Sequence, residues 1–126
     1  MISIQAKRKP SFDSTLLERA AQTALDHQSA RGDLAIVLAD DARLRELNRD
    51  YLGIDAPTDV LSFPASEPDP ETGAAYLGDI LLSVPRARKQ AETAGHALAD
   101  EAQLLVVHGV LHLLGHDHGN AREKKK

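Results

Sequence analysis

Apolar residues recur along the chain in two rhythms, one of period two and one of period three to four, and together they outline the elements. Residues 1–6 alternate apolar and polar side chains and read as a short strand. A polar patch with Pro10 follows, and Asp13 or Ser14 stands where a helix cap belongs. Leu16, Leu17, Ala20, Ala21, Ala24 and Leu25 then share one face at helical period, with His27 expected to meet solvent near the polar end. Arg31, Gly32 and Asp33 form a turn; nothing else in the chain supports a cell-adhesion reading of that triplet. Residues 34–39 are a continuous apolar run, the pattern of a buried strand. Asp40 or Asp41 caps a second helix whose buried stripe is expected to be Leu44, Leu47 and Tyr51, ended by Gly53.

Val60 to Phe63 reads as a third strand stopped by Pro64. Residues 66–75 are a polar, Pro- and Gly-rich hairpin loop, and residues 77–84 a fourth strand. Pro85 suits the first turn of a helix and Gly95 its end; Arg86, Arg88 and Lys89 give that helix the one dense basic cluster of the middle of the chain. His96, just past it, is expected at the surface. A last helix spans residues 100–114, so apolar apart from His108, Gly109 and His112 that it is expected to be central and buried on nearly all sides. Strand and helix order with a hairpin in the middle predicts an α+β fold: one domain over residues 1–126, a mixed sheet of about four strands packed with helices, and the histidine-bearing helix at its centre.

Composition narrows the class. The chain has 126 residues, 42% hydrophobic and 27% charged, enough for a core of its own. Aromatic residues make up only 3%, with no Trp, so aliphatic side chains must fill that core. There is no cysteine, which excludes disulfides and thiolate metal sites and fits a reducing cytoplasm. No stretch reaches the ~18 apolar residues of a membrane span, and the N-terminal residues lack a signal-peptide core, so a cytoplasmic location is expected. A net charge of −4 argues against a protein that coats nucleic acid generally, but leaves room for a local basic groove.

Four of the six histidines fall within His108 to His118, HGVLHLLGHDH. His108 and His112 are four apart and lie on one helical face, within reach of one metal ion. Gly115 can end the helix in the left-handed conformation and let the chain bring His118 back to the same ion. Three imidazoles with an open fourth position is the donor set of a catalytic zinc site. The spacing matches the metzincin protease pattern H-E-x-x-H-x-x-G-x-x-H, except that Gly109 stands where the protease has its general base. That points to metal-assisted hydrolysis of something other than a peptide. His116 or Asp117 remains an alternative fourth ligand, in which case the site is structural. Asp117 is a candidate for orienting a ligand histidine or taking a proton; a turn-stabilising Asx role is the other reading.

HGVLHLLGHDH resembles the signature H-G-x-L-H-L-x-G-H/Y-D-H of the YbeY family of bacterial single-metal endoribonucleases, and PTDVLSFP (Pro57 to Pro64) and LGDI (Leu77 to Ile80) resemble further blocks of it. The resemblance implies a single-strand-specific endoribonuclease that acts in ribosomal RNA maturation, at the 3′ end of 16S RNA, and in ribosome quality control. It implies His108, His112 and His118 as ligands of one Zn2+, with nickel or another divalent ion as alternatives. It implies ribosomal RNA and the small ribosomal subunit as partners, with a ribosome-associated GTPase a further candidate; the oligomeric state stays open. Many members have a phosphate-holding arginine where this chain has Leu52. Arg49, about one helical turn earlier, is the candidate substitute, with a basic side chain of the Arg86–Lys89 helix as another option. The PTDVLSFP block lines the family's cleft, so Thr58 and Asp59 have a functional reading beside that of fixing a strand edge, and Asp79 reads as structural. The family carries a further helical segment after the third histidine, whereas eight residues follow His118 here, so a short closing wall is expected. Two other functions fit the same residues: another zinc metallohydrolase such as a peptidase, and a non-catalytic ribosome-assembly factor with a structural metal.

Overall fold

A computed structural model describes residues 2–7, 9–65 and 75–115. The element order is β1 (Ile2–Ala6), α1 (Thr15–His27), β2 (Asp33–Ala39), α2 (Asp41–Leu52), β3 (Val60–Pro64), β4 (Tyr76–Ser83), α3 (Val84–Ala94) and α4 (Leu98–Leu113). The sheet is mixed and its spatial order is β1-β2-β4-β3. β1 and β4 both run parallel to β2, while β3 lies antiparallel to β4 and forms an edge. The expected α+β class and four-stranded mixed sheet are thus observed. The loop expected between the third and fourth strands falls, but for Ala75, outside the described residues.

The period-two pattern divides the sheet into two faces. Leu34, Ile36 and Leu38 of β2 and Ile80 and Leu82 of β4 point into the larger core, where they meet Leu17, Ala21 and Leu25 of α1, Ala87 of α3 and Leu105, Val106 and Val110 of α4. The alternate residues Val37, Ala39, Leu61, Phe63 and Leu81 face α2 through Leu44 and Leu47. Helix α4 touches α1, α3, β3 and β4, so it is central, as expected.

Helix ends follow local chemistry. Asp13 caps α1, accepting from the Thr15 amide at 3.0 Å and from its hydroxyl at 2.8 Å, while Ser14 makes no side-chain cap. Asp40 caps α2, accepting from the Arg43 amide at 2.8 Å. Asp41 bonds elsewhere. Arg86 donates to both its carboxylate oxygens at 2.9 Å, and the buried Ser83 hydroxyl donates to it at 3.2 Å. This clamp ties the start of α2 to the start of α3, and the Arg86 guanidinium holds the Asp41 carboxyl below its ordinary value. Gly53 and Gly95 close α2 and α3 in the left-handed region at φ 73° and 77°.

Three expectations are corrected. Tyr51 does not join the buried stripe of α2: it is 69% exposed, meeting only the rim of the sheet through Phe63 of the edge strand, whereas Leu44 and Leu47 are buried against the sheet. Helix α4 is not buried on all sides. Its buried positions are Ala102, Leu105, Val106, Gly109 and Val110, whereas Leu104, His108 and His112, spaced by four, form an exposed stripe. The helix also begins at Leu98, two residues early, with Asp100 and Glu101 in its first turn, where acidic groups complement the helix dipole.

Candidate active site

The site grows from the way α4 sits on the sheet. Gly109 faces β4 so closely that a Cβ there would lie 2.7 Å from Ile80 Cγ2. The helix backbone therefore rests directly on the strand. Ile80 is paired across the sheet with Ser62 of the edge strand β3. The Ser62 hydroxyl donates to the Gly109 carbonyl at 3.1 Å. Ser62, Ile80 and Gly109 thus fix helix, central strand and edge strand at one point, and His108 is the neighbour of that point in sequence. Gly78 adds a second close approach: a Cβ there would lie 2.2 Å from the Phe63 carbonyl oxygen and 2.9 Å from Leu113 Cδ2, so only glycine lets the end of α4 lie over the β3–β4 pair.

With that side seated, His108 and His112 are held on the open side. Their ring centroids are 6.3 Å apart with planes at 88°. Both are exposed, and Leu104 continues the stripe one turn before them. Two imidazoles on successive turns of a braced helix fit two of the three positions in a three-histidine donor set. Among the described residues no group of three His, Cys, Asp or Glu side chains converges as a metal site. The third sequence-expected ligand, His118, lies outside the described residues, as do His116 and Asp117. The turn that leads to them has the expected form: α4 stops at Leu113, and Gly115 takes φ 90°.

The remaining candidates sort by their partners. Arg49 is exposed on α2, and its Nε donates to Asp50 at 3.1 Å, which raises its pKa. Arg86 is engaged by Asp41 and is a poor phosphate ligand. Asp59 accepts from Gln90 at 3.1 Å, and its carbonyl accepts from the Ser83 amide at 2.9 Å, so it fixes the start of β3. Asp79 accepts from the Tyr76 hydroxyl, in keeping with a structural role. His27 is exposed, and so is His96, whose Nε2 lies 2.6 Å from Glu101 at the start of α4. Two residues were not singled out by sequence. Ser62 is one. The other is buried Asn48, whose side-chain amide donates to the Ala56 carbonyl at 2.9 Å and ties α2 to the loop that leads into β3. A polar residue on the apolar period of α2 was the signal available for Asn48.

Fold and site together define a class: a small α+β protein that carries a histidine pair on the open side of a central helix, next to an edge strand. Its family is identified by comparison. The model of the family described as Endoribonuclease YbeY matches residues 2–126, and the chain belongs to that family. It is 43% identical over 123 residues to Endoribonuclease YbeY of Brevibacillus brevis, covering 88% of this chain and 77% of that one. It is 47% identical over 131 residues to the protein of the same name from Desulfitobacterium hafniense, covering 98% of this chain and 83% of that one. Among solved structures, the chain is similar to a Thermotoga maritima protein determined in solution, with a TM-score of 0.61, 29% identity, and coverage of 100% and 80% of the two chains.

Proposed function

We propose that this chain is a hydrolytic, metal-dependent endoribonuclease that cuts single-stranded RNA and serves ribosomal RNA maturation in the bacterial cytoplasm. The observation that carries the reading is the two-sided α4: a backbone seated on Ile80 and a histidine pair held open to solvent beside the edge strand. Family membership supplies the reaction class, since the relatives are named endoribonucleases. The seat of Gly109 also weighs against the peptidase reading. A Cβ has no room at that position, and a glutamate general base has less. The exposure of the pair weighs against a structural metal, which protein ligands usually enclose.

His108 and His112, joined by His118, are the ligands in this reading, and the imidazole set suits Zn2+. When bound, such an ion polarises a phosphodiester oxygen and lowers the pKa of water. The chain's own residues do the rest. Ser62 and Gly109 hold α4 against β3 at a fixed separation. Arg49 trades its exposed contact with Asp50 for a substrate phosphate; exposed ion pairs are weak, so the exchange costs little. Asp117 orients a ligand imidazole or accepts a proton. The small ribosomal subunit is the assembly in which a chain of net charge −4 meets its RNA selectively, and a ribosome-associated GTPase is a further partner.

The test is metal content per chain for wild type, His112→Ala and His118→Ala, beside cleavage of a single-stranded RNA with and without chelator. The reading expects about one ion in the wild type, loss in both variants, and cleavage that follows the metal. Peptide cleavage without RNA cleavage, or RNA cleavage indifferent to chelator, overturns it.

A further inference from the structure

Tyr51, Leu52 and Ile54 are 69%, 57% and 52% exposed and adjoin one another at the end of α2. Large apolar groups gathered at one spot on a surface mark a contact site more often than scattered ones do. Here the aromatic ring is also held in place. Tyr51 meets Phe63 edge-on, with centroids 5.5 Å apart and planes at 65°. That geometry restrains the tyrosine through its contact with Phe63, while its exposure leaves ring surface open to a flat partner.

The position of Phe63 gives this ring a relation to the histidines. Phe63 directly follows Ser62 on the edge strand β3, and successive Cα atoms are about 3.8 Å apart. Ser62 points to the α4 side, where its hydroxyl reaches the Gly109 carbonyl. Phe63 points to the α2 side, where it meets Tyr51. One short edge strand therefore has the histidine helix on one face and the aromatic pair on the other. A chain that rounds this edge of the sheet passes from one to the other.

We propose that Tyr51 is a stacking platform for an unpaired base of the RNA substrate, and that it holds the strand where it turns across β3 toward His108 and His112. The inference rests on the ribonuclease reading of the site and adds to it a residue that touches substrate. The charges around the ring allow this occupant. The carboxylates nearest in sequence are each met by a guanidinium, Asp50 by Arg49 at 3.1 Å and Asp55 by Arg45 at 2.8 Å. Their pairing leaves no unmatched negative charge from Asp50 or Asp55 to repel the RNA backbone. Leu52 and Ile54, exposed close by in sequence, keep this end of α2 apolar. A duplex buries its base faces in its own stack, so such a platform selects single strands.

The chain has no tryptophan, so Tyr51→Trp places one fluorescent reporter at the platform. The full chain is kept with chelator, so that nothing is cut, and titrated at low salt with a labelled single-stranded oligoribonucleotide and with its duplex. Tyr51→Trp is expected to bind the single strand as well as wild type, with its emission quenched by the single strand and not by the duplex. Tyr51→Ala is expected to bind about tenfold or more weakly at unchanged Tm. Emission that ignores bound RNA, or full affinity in Tyr51→Ala, overturns the platform while leaving the ribonuclease reading intact. Full RNA affinity in Tyr51→Ala together with loss of a self-association seen for wild type in sedimentation overturns it in favour of a contact between copies. A wild type that neither binds nor cuts single-stranded RNA removes the underlying function, and the platform with it.

Discussion

The two sides of α4 are built on opposite terms. On one, Gly109 lies against Ile80 with no room for a methyl group, and Ala102, Leu105, Val106 and Val110 are buried against the sheet and its neighbours. On the other, Leu104, His108 and His112 stand in solvent one turn apart. The closed side fixes where the helix is, and the open side determines what it can bind. The difference shows how a helix of only 16 residues serves as core and as site: the close fit on one side positions the helix without drawing the imidazoles into the core.

If the division holds, substitutions on the two sides will separate activity from stability. The largest effect is expected from His112→Ala, which should lower RNA cleavage by roughly a hundredfold or more while the free energy of unfolding, with chelator present in both proteins so that bound metal does not contribute, changes by only about 0.5 kcal/mol. A cleavage assay beside a denaturant melt checks this, and a large loss of stability would contradict the open side. Gly109→Ala should do the reverse first, costing about 1–3 kcal/mol because the new methyl must displace Ile80. Ser62→Ala removes one hydroxyl from the seat and should cost about 1 kcal/mol in the same melt. A neutral result there would mean that the edge strand does not brace the helix.

The smallest effect lies away from α4 and serves as a control. Arg86 holds the Asp41 carboxyl below its ordinary value of 3.8. The folded state therefore favours the ionised form. That stabilisation is present above the unfolded-state pKa and is lost as pH falls through the lower, folded value. Asp41→Asn should have a lower Tm than wild type near neutrality, and the gap should close below about pH 4. The pH dependence of Tm for the two proteins measures it.

Much of this was legible in the residues. Periodicity marked β1, α1, α2 and β4, a continuous apolar run marked β2, and Pro85 and Gly95 bracketed α3, while local capping chemistry placed most ends within a residue or two. Strand order was not legible. β4 inserts between β2 and β3, and that choice depends on long-range contacts. Tyr51 misled because it keeps the apolar period of α2 where only the edge strand, through Phe63, is left to meet it. Leu104 misled because a residue's type says nothing of which side of a central helix the neighbours leave bare. The histidine pair was legible in its spacing, whereas its bracing was not: Ser62 and Gly109 are 47 positions apart and share no pattern. His118 and Asp117 lie outside the described residues.

Among the described residues, helix α4 comes after the four strands and the other three helices, yet it touches α1, α3, β3 and β4. A ribosome that stalls before making it releases a sheet with no histidine pair and an uncovered core face. Synthesis order thereby withholds the histidine pair until the sheet and the other described helices have been made.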